Sequence, residues 1–414
     1  MVIEILKTDI PDDWDIKKLE PDVGFVRSGK RLPKGYYVTP IPTQHPYIRV
    51  ADMRPGYVDV EGLMYVPDEA YFRIQKYRIY RDDIYISVAG TLGIVGQIPG
   101  YLDGANLTEN ANRITDIKCN IKFLMYWLMS SKIQGLINQT QTLGAQPKLA
   151  LTRIRNFPII LPPIEEQGQI AEVLCNVDAL IVDLEKLIRK KKDVRQGTMQ
   201  ILVTGKKRLD GFSGDWITKS LDKLCDLITD GSHESPSEYL DGFYMPSVKD
   251  MTDSGFDFSN CKRISKADYE RLVANGCKPE IGDVLIAKDG SMLKYVFPVK
   301  EDRNIVILSS IAILRPKKNM LSSSYLTYYF RQPRFVEQII KSNQTGTGVP
   351  RIVLKNFKKI KLHIPVELNE QGAIAGILSD MDTDIWTLEK KLKKLMAIKQ
   401  GMMEELLTGK VRLV

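Results

Sequence analysis

Histidine is nearly absent from this 414-residue chain. Only His45, His233 and His363 occur, far apart, which leaves little material for imidazole-based metal binding or acid–base catalysis. The five cysteines (Cys119, Cys175, Cys225, Cys261, Cys277) are odd in number, scattered and without a CxxC pair, so neither a disulfide framework nor a zinc site is indicated. No apolar run approaches the ~20 residues that a membrane-crossing helix needs; the longest lie around Ile305 to Leu314 and Phe123 to Met129. The opening MVIEILKTDI lacks a basic-then-apolar export pattern, and a cytoplasmic location is the expectation. Catalytic motifs are missing as well: there is no [DN]PP[YF] and no GxGxxG, and neither TGKK nor TGKV has the upstream glycine or trailing Ser/Thr of a phosphate-cradling loop. Pro67-Asp68 with Asp116-Ile117-Lys118 has a nuclease-like gap and no further support. The expectation is a chain with no catalytic residue and no metal site.

What is present is globular stock, 43% hydrophobic and 27% charged, enough for two or three packed domains. The net charge of +8 is unevenly spread. Residues 161–184 carry −5 and 185–209 carry +7, while 364–388 carry −5 and 389–414 carry +4.

That echo belongs to an internal repeat. Shifted by 204 positions, Glu166 to Leu209 matches Glu370 to Leu413 at 21 of 44 residues without a gap. Fainter echoes extend outward: Asp13-Trp14 and Asp215-Trp216, Asp52-Met53 and Asp250-Met251, Asp83-Ile84 and Asp283-Val284. The chain therefore divides into a globular block 1–160, a helical region 161–209, a second block 210–363 and a second helical region 364–414. Within the helical regions apolar residues alternate at four and three: Ile170, Leu174, Val177, Ile181, Leu184, Ile188, then Ile374, Leu378, Met381, Ile385, Leu388, Leu392, Leu395. This is a coiled-coil seam. A parallel pair would set like charge halves side by side and an antiparallel pair sets opposite ones, so antiparallel pairing is predicted. Two duplicated helices paired that way imply pseudo-twofold symmetry, with one block at each end of a long stem. Gly197 and Gly401 recur inside the helices, each at a cost of ~1 kcal/mol relative to alanine, and are candidate docking points for another helix.

Each block mixes short strands (Tyr47 to Val50, Asp83 to Val88, Asp283 to Ile286, Ile305 to Leu314), turns and a late helical segment (Ile121 to Asn138, Ser323 to Lys341), an α+β pattern. Arg, Lys, Asn and Gln crowd the turns, and these side chains can hold phosphates or read base edges. The candidates are Arg49, Arg54, Asn110, Asn112, Arg113, Gln141, Gln146 and Lys148 in the first block. In the second they are Lys249, Lys288, Ser291, Lys294, Asn343, Gln344 and Arg351.

LPPIEEQGQIAEVL with LEKLIRKKK, RQGTMQILVTGKKRL, and their second copy HIPVELNEQGAIAGIL through EELLTGKVRL carry a family resemblance. Together with the DW openings, they make the chain resemble the specificity subunit of type I restriction-modification systems over essentially its whole length. Asp82-Asp83 departs from the usual Gly-Asp, and Met1 to Lys7 has no strong counterpart. The resemblance implies two target-recognition domains, each reading one half of a bipartite, asymmetric double-stranded DNA site, with no catalysis of their own. It also implies two modification (methyltransferase) subunits as partners, with restriction (translocase/nuclease) subunits in the complete complex. S-adenosylmethionine, ATP and Mg would then sit on the partners and no cofactor on this chain. Two other classes compete: a self-contained DNA methyltransferase or endonuclease, and a non-catalytic coiled-coil scaffold without DNA contact.

Overall fold

The four-three apolar spacing becomes two helices of 39 residues, Ile164–Leu202 and Leu368–Leu406, each about 58 Å long at 1.5 Å per residue. The computed structural model describes residues 10–139, 147–343 and 351–413. The chain forms two compact units, Met1–Glu185 with Lys390–Val414, and Lys186–Glu389. Each unit holds the first half of one long helix and the second half of the other.

Inside each unit the pairing is antiparallel. In the first, Asp178 meets Lys399 at 2.6 Å, and Ile170, Ala171 and Leu174 share a core with Met403, Leu406 and Leu407. In the second, Lys191 meets Asp384 at 3.2 Å, Lys192 meets Glu389 at 2.7 Å and Arg195 meets Asp382 at 2.8 Å. There Met199, Leu202 and Val203 pack with Ile374, Ala375 and Leu378. From Lys192–Glu389 through Arg195–Asp382 to the core shared by Met199–Val203 and Ile374–Leu378, residue numbers rise on one helix as they fall on the other, as the charge halves require. Burial of the seam supplies most of the energy, since exposed ion pairs are worth only ~0.2–1 kcal/mol each.

The globular parts follow one plan. The first unit has an antiparallel four-stranded sheet in the order Phe25–Ser28, Ala111–Thr115, Ile84–Ser87, Val95–Gly96. The second has Cys225–Asp230, Ile311–Pro316, Val284–Ala287, Val296–Pro298 in the same order and sense, with starting residues shifted by 200 or 201. A two-stranded ribbon leads into each long helix: Asp15–Lys18 with Pro158–Leu161, and Trp216–Ser220 with Lys361–Pro365.

Two segments expected as single elements are divided. Ile121 to Asn138 forms two helices, Ile121–Met129 and Ser131–Asn138. Ser130 ends the first, and its side chain caps the second by accepting from Ile133 N at 3.5 Å. Ser323 to Lys341 likewise splits into Ser323–Phe330 and Pro333–Asn343, because Pro333 cannot continue the preceding ladder. The apolar run Ile305 to Leu314 serves two sheets. Ile305 bridges Tyr244 in parallel, the chain turns at Ser309-Ser310, and the strand resumes at Ile311.

The repeated motifs hold the blocks to the stem. Glu370, fully buried, takes both nitrogens of the Arg208 fork at 2.7 Å and the Trp216 indole N–H at 3.4 Å. Glu166 does the same with Arg412, at 2.6 and 2.7 Å, and with Trp14 at 3.2 Å. Asp13 joins Arg412; the guanidinium holds the Asp13 carboxyl below its ordinary range and is itself held above its own by Glu166 first and Asp13 second. Gln371 accepts from Ser322 N and donates to the Met320 and Pro365 carbonyls, while Gln167 accepts from Asn120 N and donates to the Pro162 carbonyl. Gly205 and Gly409 adopt positive φ directly against the Trp216 and Trp14 rings, so a Cβ there would be both strained and crowded.

The faint echoes have a structural use too. Asp52 and Asp250 fold back on the backbone N–H of Arg49 and Ser247, each at 2.8 Å. Asp83 and Asp283 cap turns at Tyr80 N and Glu280 N and pair with Arg113 and Arg315 on the neighbouring strand. Burial raises the Asp83 carboxyl above its ordinary value despite Arg113.

Candidate nucleic-acid interface

In each unit three chain segments converge at one end of the four-stranded sheet. In the first, the strand Ile84–Ser87 runs into a turn whose Val88 and Ala89 N–H groups donate to the Asn110 carbonyl at 2.7 and 3.2 Å. Leu149 N donates to the Val88 carbonyl at 3.0 Å, and Ala89 bridges Lys148. In the second, Lys288 and Asp289 N–H donate to the Ser310 carbonyl at 2.9 and 3.3 Å, Ile352 N to the Lys288 carbonyl at 3.0 Å, and Asp289 bridges Arg351. Gly90 and Gly290 turn both loops at positive φ. The same backbone scaffold thus carries different side chains in the two copies.

Of the sequence candidates, Asn110 and Lys148 meet at the first tip, and Lys288, Ser291 and Arg351 at the second. Lys148 and Arg351 are exposed there, as a side chain that grips a phosphate or base edge must be. Lys288 is not: it is buried, with Nζ at 3.2 Å from both Asp230 and Asp289. Lys294 is exposed over the Tyr295 ring, and Lys249 is exposed on the short turn Val248–Asp250.

The remaining candidates are engaged elsewhere. Arg49 forks onto Asp52 at 2.6 and 3.0 Å, Arg54 onto Asp59 at 3.0 Å, and Arg113 onto Asp83 at 3.2 Å and the Arg78 carbonyl. Asn112 is buried in the central strand Ala111–Thr115. Gln141, Gln146, Gln344 and the Asn343 side chain lie outside the described residues. Gly197 and Gly401 are exposed inside the long helices, each five residues before the helix end, and a Cβ on either would meet nothing of this chain within 4 Å.

Sequence reasoning missed the carboxylates of the second tip, Asp230 and Asp289. The Asp289-Gly290 pair was a turn signal that could have drawn attention to one of them. It also missed a joint in each unit: the Tyr126 hydroxyl donates to Asp178 at 2.7 Å and Tyr328 to Asp382 at 2.9 Å, each aspartate also holding a cation of the other long helix. Burial, the largest cause, pushes both phenols up, Tyr328 to about 12, and it lowers the Arg331 guanidinium beside Asp382. Among the described residues no cluster of His, Cys, Asp or Glu is arranged to hold a metal ion, and no helix is long and apolar enough to cross a membrane.

Comparison with known proteins agrees with this duplicated plan. The family profile of the type I restriction modification DNA specificity domain matches twice, over residues 11–194 and 214–397. A Methanocaldococcus jannaschii protein named as the MjaX specificity subunit of a type I restriction enzyme is 26% identical, with 98% of this chain and 95% of that protein covered. The type I restriction enzyme MjaVIII specificity subunit of the same organism is 23% identical, covering 97% and 94%. The crystal structure of the type I restriction-modification S subunit from M. genitalium shares the fold, with a TM-score of 0.58 at 16% identity and 96% of both chains covered. The chain belongs to the type I restriction-modification DNA specificity family, as a specificity subunit carrying two recognition domains.

Proposed function

We propose that this chain reads a bipartite, asymmetric DNA site, one half-site per unit, and docks two modification subunits and, in the full complex, restriction subunits, without catalysis of its own. The observation that carries the reading is the duplicated sheet tip, one backbone scaffold presenting two different sets of polar side chains. Two different readers in one chain call for two different half-sites. S-adenosylmethionine, ATP and Mg belong on the partners in this reading.

A docking surface for a partner helix has support in the second unit. Leu187, Val194 and Ile201 are exposed at heptad spacing on the first long helix, and Gly197 lies on the same face as Val194 and Ile201. The second long helix repeats the pairing in the first unit with exposed Ile398 three residues before Gly401. A groove of about 1380 Å³ in the second unit, lined by Gly372, Gly376 and Ser379 on one side and Lys294 and Arg331 on the other, offers further room.

The purified chain, incubated with duplex DNA, S-adenosylmethionine and Mg²⁺, is expected to bind DNA with an affinity that falls steeply with salt and to transfer no methyl group. Addition of the modification subunit is expected to yield methylation at a bipartite motif. Methyl transfer by the chain alone would establish the self-contained enzyme instead, and absence of salt-dependent DNA binding would favour the scaffold.

A further inference from the structure

We propose that Asp289 and Arg351 at the tip of the second unit read a G·C pair in that unit's half-site, with Lys288 as their positioning residue; this rests on the DNA-reading role above. Lys288 has 8% of its side chain exposed and lies 3.2 Å from Asp230 and from Asp289, whose side chains are 11% and 27% exposed. His233 Nε2 adds a contact to Asp230 at 3.4 Å. Withdrawing a lysine and two carboxylates from water is costly, and apolar residues commonly replace such groups without loss of stability.

The first unit displays that replacement. Gly29 and Gly231 each donate their N–H to the first residue of the central strand, Ala111 or Ile311, which sets Ser28 opposite Asp230. The turn bonds likewise set Val88 opposite Lys288, Ala89 opposite Asp289 and Lys148 opposite Arg351. The backbone bonds around Val88 match those around Lys288, so the scaffold does not need the buried cation.

What the cation holds is a donor beside an acceptor. Arg351 is exposed, without a carboxylate partner among the described residues, and its backbone is bridged to that of Asp289. Asp289 keeps part of its carboxylate open while Lys288 Nζ touches both of its oxygens, at 3.2 and 3.3 Å. Guanine offers O6 and N7 to a guanidinium, and its paired cytosine offers the N4 amino group to a carboxylate. Lys288 fixes the Asp289 rotamer and offsets its charge, which phosphates would otherwise repel. The first tip has Ala89 and Lys148 in these places, a cation with no acceptor, so the two half-sites differ.

The test maps methylated motifs in cells carrying the assembled system with Arg351→Ala, Asp289→Ala or Lys288→Val. Each variant is expected to lose discrimination for G·C at one shared position of one half-site, by roughly 10- to 100-fold, with the other half-site unchanged. Lys288→Val alone leaves the Asp230 carboxylate without its cation and is expected to lower thermal stability; with Asp230→Ser added, which installs the first copy's residues at both places, stability should return towards that of the parent while the motif stays relaxed. Full stringency at every position in both R351A and D289A would overturn the proposal. Should K288V fail to assemble, those two variants at the exposed rim decide. A parent system that methylates no bipartite motif would remove the reading on which this rests, and this with it.

Discussion

Removing the Arg208 guanidinium (Arg208→Ala) is expected to destabilise the second unit by about 3–5 kcal/mol, the range for stranding one partner of a buried ion pair. Glu370 is fully buried, and Arg208 supplies two of its contacts at 2.7 Å; without it, among the described residues only the Trp216 indole N–H at 3.4 Å remains to its side chain. Glu370→Ala should cost less, because Arg208 is 30% exposed and can turn to water. The double substitution Arg208→Met with Glu370→Leu should recover most of the loss, since replacing both partners by apolar groups leaves no charge uncompensated. Urea unfolding followed by Trp216 fluorescence checks the order. A single Arg208→Ala loss under about 1 kcal/mol would show that the Glu370 charge is taken up elsewhere. Arg412→Ala should act in the same direction on the first unit, through Glu166.

That pair shows how the sequence encodes the fold. The match of EQG and TGKxRL was visible as repetition and DW as a fainter echo, and antiparallel pairing of the stem already brings the TGKVRL tail towards the DW opening, yet nothing in their spacing said that Glu166 holds both. The link between Glu166 and Arg412 spans 246 residues, a distance no local pattern reports. The stem was legible because its signals are periodic: a four-three apolar seam and charge halves whose only favourable arrangement is antiparallel. The candidate interface was legible in part. Arg49, Arg54 and Arg113 have the side-chain chemistry that grips DNA, but carboxylates at Asp52, Asp59 and Asp83 hold them, and a turn composition alone cannot separate a committed arginine from a free one. The exposed Lys148 and Arg351 emerge only once the bridges to Ala89 and Asp289 place them at equivalent tips. Divided helices were missed for a local reason: Ser130 and Pro333 interrupt apolar runs whose helical periodicity continues on either side.

The docking proposal turns on two residues that the chain itself does not need. Alanine at both Gly197 and Gly401 is expected to stabilise the isolated subunit by about 1 kcal/mol per site, because glycine is a poor mid-helix residue and the added Cβ meets nothing within 4 Å. In the complex the same methyl should act in the opposite sense. If a helix of the modification subunit lies close against the glycine, the extra carbon overpacks that contact at about 1–3 kcal/mol per site, roughly 5- to 150-fold in affinity. One substitution therefore separates a docking contact from a glycine that no partner touches: with docking, thermal unfolding of the chain alone should shift upward while co-purification with the modification subunit declines. The DNA motif written by whatever complex still forms should be unchanged, because a Cβ at either glycine meets no sheet-tip residue within 4 Å. A double variant that is more stable and assembles at parental affinity would mean that no partner approaches these positions, and the docking face would have to be sought in the groove lined by Gly372 and Gly376.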